Sequence, residues 1–135
     1  MAALIPIVIV SKRVPWVADL PVEGPDYTGG TFKMEVRQKP GDSGTALLTL
    51  NGAAAGSEGI SATYDAGYTD PETGEAFAAT IFRFQINETT LEGLGLGTPA
   101  DKPVELNYDV HVTPSGGTKF VLCRGTFTYY PGVTL

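Results

Sequence analysis

The chain holds one cysteine and one histidine in 135 residues. A single cysteine, Cys123, excludes an intrachain disulfide. Stability must therefore come from core burial, worth roughly 1.5–3 kcal/mol for each large apolar side chain fully buried. A lone thiol also suits assembly in a reducing cytoplasm. One His and one Cys cannot supply the ligands of a tetrahedral zinc centre, so no zinc site is expected. Basic residues are scarce too: 9 Lys and Arg stand against 15 Asp and Glu, a formal net charge of -6. An acidic surface repels phosphate backbones, and Lys12-Arg13 is an isolated basic pair, so nucleic acid is not an expected partner. Long apolar runs are missing. The opening MAALIPIVIV is interrupted by Pro6, is too short to span a bilayer and has no basic stretch before it. Neither a membrane span nor an export signal is expected. No internal repeat or low-complexity tract points to a solenoid.

What the chain does have is punctuation. It carries 17 Gly and 10 Pro in a composition that is 42% hydrophobic and 18% charged, which is globular and rich in turns. Its length is that of one ordinary domain. Between residues 104 and 112, Val104, Leu106, Tyr108, Val110 and Val112 alternate with Glu105, Asn107, Asp109 and His111. A period of two puts the apolar set on one face of a strand. Pro114 and Gly116-Gly117 supply a reversal. Residues 119–129 then return as a second strand, with a bulge expected at Gly125, where the apolar parity changes.

The remaining chain reads the same way. Residues 5–10 are β-branched and apolar on both parities, which predicts a strand buried on both faces. Residues 11–28 contain Pro15, Pro21 and Pro25, which predicts an extended path rather than a helix. Phe32, Met34 and Val36 alternate with Lys33, Glu35 and Arg37; residues 46–50 form the next strand. Asp70-Pro71-Glu72-Thr73-Gly74 is turn chemistry joining residues 60–68 to 76–86. Phe82 and Phe84 lead the expected core. Residues 87–92 suit a single helical turn capped by Asn87. About seven strands with almost no helix predict an all-β fold, an antiparallel immunoglobulin-like β-sandwich. The expected division is an extended, apolar and Pro-rich N-terminal arm over residues 1–28 and the sandwich over 29–135. Ile5, Ile7, Ile9, Trp16 and Val17 are the expected subunit interface, because apolar edge strands and Trp favour contacts between chains.

Catalytic groups do not assemble on paper. His111 has polar parity and Cys123 apolar parity, so the two are expected on opposite faces of their hairpin. The acids Asp65, Asp70, Glu72 and Glu75 lack the spacing of a calcium loop. Gly93-Leu94-Gly95-Leu96-Gly97 lacks the Lys-Ser/Thr of a phosphate loop. No catalytic, cofactor-binding or metal residue is assigned.

The order of motifs carries a resemblance. A Gly-rich opening leads to FKMEVR, a Gly turn, ALLTL and GISATYD. Tyr108-Asp109-Val110 follows, then Gly125-Thr126-Phe127-Thr128 and Pro131-Gly132-Val133-Thr134. Over residues 26–134 this resembles the small β-sandwich modules among tailed-phage and prophage structural genes, including attachment domains of tail-fibre, baseplate and head-fibre proteins. The resemblance implies a non-enzymatic virion subunit assembled in the host bacterial cytoplasm, with other virion proteins and copies of itself as partners. No fibre or receptor-binding region is expected after Leu135, so the resemblance implies a connector or minor structural subunit. The alternative is a ligand- or carbohydrate-binding adhesion module, for which Tyr64, Tyr68, Tyr129 and Tyr130 are the candidate aromatics.

Overall fold

A computed structural model describes residues 7–39, 41, 44–94 and 103–131. Its elements run β1 (Ile7–Ser11), β2 (Trp16–Glu23), β3 (Thr31–Arg37), β4 (Leu48–Asn51), β5 (Gly59–Thr69), β6 (Ala76–Ile86), α1 (Glu88–Glu92), β7 (Val104–Thr113) and β8 (Phe120–Tyr130). They form two sheets, ordered β1-β8-β7-β3-β4 and β2-β6-β5. All pairs are antiparallel except β1 with β8, which run parallel. The protein is all-β, two sheets closing on one core.

Alternation in the sequence sets which side chains enter that core. Phe32, Met34 and Val36 from β3 and Leu106, Tyr108, Val110 and Val112 from β7 face inward from one sheet. Leu20, Val22, Phe82, Phe84 and Ile86 face them from the other. Phe32 and Phe82 meet edge to face, with ring centroids 5.2 Å apart. Such a pair contributes roughly 0.5–1.5 kcal/mol beyond its buried area. Phe82, Phe84, Tyr108 and Val110 are buried as their parity requires.

The predicted division at residue 28 needs correction. Residues 7–23 are not an arm appended to a sandwich. They give one strand to each sheet: β1 lies beside β8, and β2 beside β6. Val8, Val10, Leu20 and Val22 belong to the core cluster. The prolines misled because Pro21 sits in an edge strand, where the missing N–H costs least. The prediction that residues 5–10 are buried on both faces fails for a related reason. β1 is itself an edge strand, and Ile9 is 56% exposed while Val8 and Val10 are 2% exposed.

Two local devices also differ from expectation. The bulge in β8 falls at Leu122, not at Gly125. Val110 pairs with Cys123 and His111 with Val121, which leaves Leu122 as the extra residue. The bulge lets Leu122 and Cys123 both point inward. Gly125 stays in regular register opposite Tyr108. At α1, Asn87 occupies the N-cap, but its side chain makes no capping bond. Glu58 caps instead from the β4–β5 connection. Its carboxylate accepts the Asn87 N–H at 2.7 Å and the Thr90 hydroxyl at 2.9 Å. Tyr129 then donates its hydroxyl to the Leu91 carbonyl at 3.0 Å, tying α1 to β8.

Candidate assembly interface

β1 and β2 lie at the same lateral edge of the molecule. β1 borders the five-stranded sheet, β2 borders the three-stranded one, and residues 12–15 join them. The link is tight. Lys12 N–H donates to the Tyr130 carbonyl at 2.8 Å, Val14 N–H to the Ser11 carbonyl at 3.2 Å, and Arg13 adopts φ 70°. Arg13 also approaches Glu92 at 3.4 Å, which holds the link against α1.

This edge carries an apolar group. Ile9 is 56%, Val14 55% and Val17 45% exposed. Among the described residues each strand has a hydrogen-bonded neighbour on one side only, so the other side offers backbone donors and acceptors to an incoming strand. The second half of β2 is guarded by Asp19, Pro21 and Glu23, residue types that discourage strand addition. The unguarded zone is therefore β1 and the beginning of β2.

The five residues expected at an interface separate into distinct groups. Ile9 and Val17 project outward at this edge. Trp16 packs against the core and is partly covered, so it supports the edge from within. Ile7 opens β1 opposite Thr126. Ile5 lies outside the described residues. Val14 was not singled out in the sequence, because the Pro-flanked link around it gives no period to read.

The remaining candidates are dispersed. Cys123 is buried in the core, while His111 sits on the outer face with Nε2 3.2 Å from Asp109 Oδ2. Parity placed them correctly on opposite sides. The Tyr108 hydroxyl is buried beside the Cys123 thiol. Burial, and secondarily the neighbouring Cys123 thiol, pushes this phenol far above its ordinary value. Burial also raises the Tyr129 phenol, with Arg13 opposing and Glu92 adding to the shift. The four tyrosines proposed for a sugar site do not converge. Tyr129 is fully buried, and Tyr130 lies beside Ser11. Tyr64 and Tyr68 lie on the β5–β6 hairpin, towards the end away from Trp16.

Two open grooves lie elsewhere. One of about 480 Å³ runs over the outer face of β3, β7 and β8, lined by Glu35, Arg37, Lys39, Asp109, His111 and Arg124 among others. The second, about 530 Å³, follows the seam between β4 and β5 and is lined by small residues including Gly52, Ala53, Ala54 and Ala55. Among the described residues, no group of three or more His, Cys, Asp or Glu side chains could hold a metal ion. No helix among the described residues is long and apolar enough to cross a membrane. Neither a protein-family model nor a curated protein matches the sequence.

Proposed function

We propose that this protein is a non-enzymatic structural or assembly subunit of a tailed-phage particle, of the tail, connector or baseplate and fibre-attachment type. It works by docking its β1–β2 edge onto neighbouring virion proteins or copies of itself. The observation that carries this reading is the unguarded apolar edge formed by Ile9, Val14 and Val17 beside two strands with open hydrogen-bonding sides. An extended segment laid along β1 would gain main-chain hydrogen bonds, and Ile9 would give it an apolar contact.

The sandwich is, on this reading, immunoglobulin-like. Its strand order supports that arrangement. Taking β2, β6 and β5 as strands B, E and D, and β3, β7 and β8 as C, F and G, gives the two facing sheets of that fold. β4 then extends the second sheet as C′, and β1 is a first strand added beside G.

The test keeps the fold intact and removes the edge. Truncation at Gly29 is unsuitable, since it deletes one strand from each sheet. The double variant Ile9→Lys/Val17→Lys changes only outward side chains. It is expected to keep its melting temperature but to lose incorporation into purified particles, read by mass spectrometry. Incorporation equal to that of the parent chain would defeat the docking edge. Absence of the parent chain from such particles would defeat the virion role itself.

A further inference from the structure

We propose that the groove on the outer face of the five-stranded sheet receives the acidic β5–β6 hairpin of a second copy of this chain, giving a head-to-tail contact. This goes beyond the β1–β2 edge and uses different surfaces. The hairpin is unlike the rest of the molecule. Residues 63–67 of β5 are exposed in succession, both parities together, although their β6 partners Ala79 and Thr80 are buried. Tyr64 lies opposite Thr80 on the inward parity, yet it is 41% exposed. Pairing with β2 ends at Ala79, and beyond it β5 and β6 run on together through Tyr68–Phe77 and Thr69–Ala76 to the turn. The ribbon is stiffened by the Tyr68–Phe77 ring contact at 5.5 Å. Its turn is closed by Asp70 N–H to the Glu75 carbonyl and Gly74 N–H to the Asp70 carbonyl, both 2.8 Å. Asp65, Asp70, Glu72 and Glu75 are carried here, and no Lys or Arg occurs anywhere between residues 40 and 82.

The groove has the opposite character. Lys33, Arg37, Lys39 and Arg124 gather on this face from a chain with 9 Lys and Arg in all. Its two carboxylates are already engaged. Glu35 lies 3.4 Å from Arg37 and 4.0 Å from Lys33, and Asp109 lies 3.2 Å from His111. Lys39 and Arg124 are exposed and form no ion pair among the described residues. They are positioned to meet an incoming carboxylate. A single molecule cannot make the contact with itself. The hairpin belongs to the three-stranded sheet, and the groove is on the outer face of the other, across the core. The contact joins two different surfaces, so it propagates into a ring or a filament rather than closing as a two-fold dimer.

Sedimentation equilibrium of the full chain at about 0.01 M and about 1 M salt tests this, because screening shortens the reach of exposed charges from roughly 30 Å to roughly 3 Å. The parent is expected to associate at low salt and dissociate at high salt. Lys39→Glu/Arg124→Glu on the groove and Glu72→Lys/Glu75→Lys on the hairpin are each expected to weaken association by up to about thirtyfold, the effect of two exposed ion pairs of up to about 1 kcal/mol each. All four side chains are exposed, so the fold is retained. An equimolar mixture of the two variants restores complementary charge and is expected to recover association. A parent that stays monomeric at low salt, an association indifferent to salt, or a mixture no stronger than either variant alone would overturn the contact. Association lost only in Ile9→Lys/Val17→Lys would also overturn it, while leaving the edge reading in place.

Discussion

The two lateral edges of this sandwich solve the same problem differently. Among the described residues both end in strands with one open side, yet only one edge is defended along its whole length. At the β4–β5 edge, β4 is four residues long and turns Thr49 and Asn51 outward. The chain then bridges the two sheets: Gly52 pairs with Ile60, and Ala53 N–H donates to the Ile60 carbonyl at 2.9 Å. β5 continues with Ser61, Thr63 and Asp65 outward and a bulge between Asp65 and Tyr68. Shortness, polarity and a bulge all deter strand addition. At the β1–β2 edge only the second half of β2 is guarded, and Ile9, Val14 and Val17 stand outward over the rest. The contrast shows that this chain can protect an edge and leaves part of the other unprotected, which is what a docking surface requires.

The defended edge should be fragile from within. Leu50→Ala, in β4, removes a fully buried side chain and is expected to cost about 2–5 kcal/mol in urea unfolding. Gly59→Ala strikes the seam itself. Gly59 has φ +132°, and a Cβ there would stand 2.6 Å from the Asn51 carbonyl oxygen and 2.7 Å from Ala53 Cβ. The expected loss is about 1–3 kcal/mol, visible as a lower denaturation midpoint. A stability equal to the parent's would mean the seam can open without cost.

At the other edge, Tyr129→Phe removes the donor that ties β8 to α1 and should cost about 1 kcal/mol by the same measurement. The tyrosines also set a pH response. The folded state holds Tyr129 and Tyr108 above their unfolded value, so it binds their protons more tightly. Their contribution is therefore complete below about pH 10 and is lost as pH rises beyond it. Melting temperature should fall in that alkaline window, less steeply in Tyr108→Phe. The smallest effect is expected at the surface of the undefended edge. Ile9→Thr should change stability by no more than about 0.5 kcal/mol. A large loss there would mean that Ile9 is structural and the two edges are less different than they look.

Much of this architecture was legible in the sequence. The hairpins around residues 70–75 and 114–119, the inward set of β3 and β7, and the opposite faces of His111 and Cys123 all follow from alternation and turn residues. β2 was hidden by Pro21 and the prolines flanking it, because local propensity says nothing about whether a strand lies at an edge. The Leu122 bulge was misplaced to Gly125 because two adjacent apolar residues do not reveal which of them is unpaired. Glu58 as the cap of α1 had no local signal, since its partners are 29 and 32 residues away.

The sequence alone determined that the chain is all-β, which positions form its dry faces and where it reverses, because a period of two and turn chemistry are properties of neighbouring residues. Only the tertiary structure decided which strands became edges, that Ile9 and Val17 stay in water while Val8 and Val10 do not, and that acidic hairpin and basic groove lie on opposite sides of one core. Those outcomes depend on which strand lies beside which, and hydrogen-bond pairing between distant segments leaves no mark on local pattern.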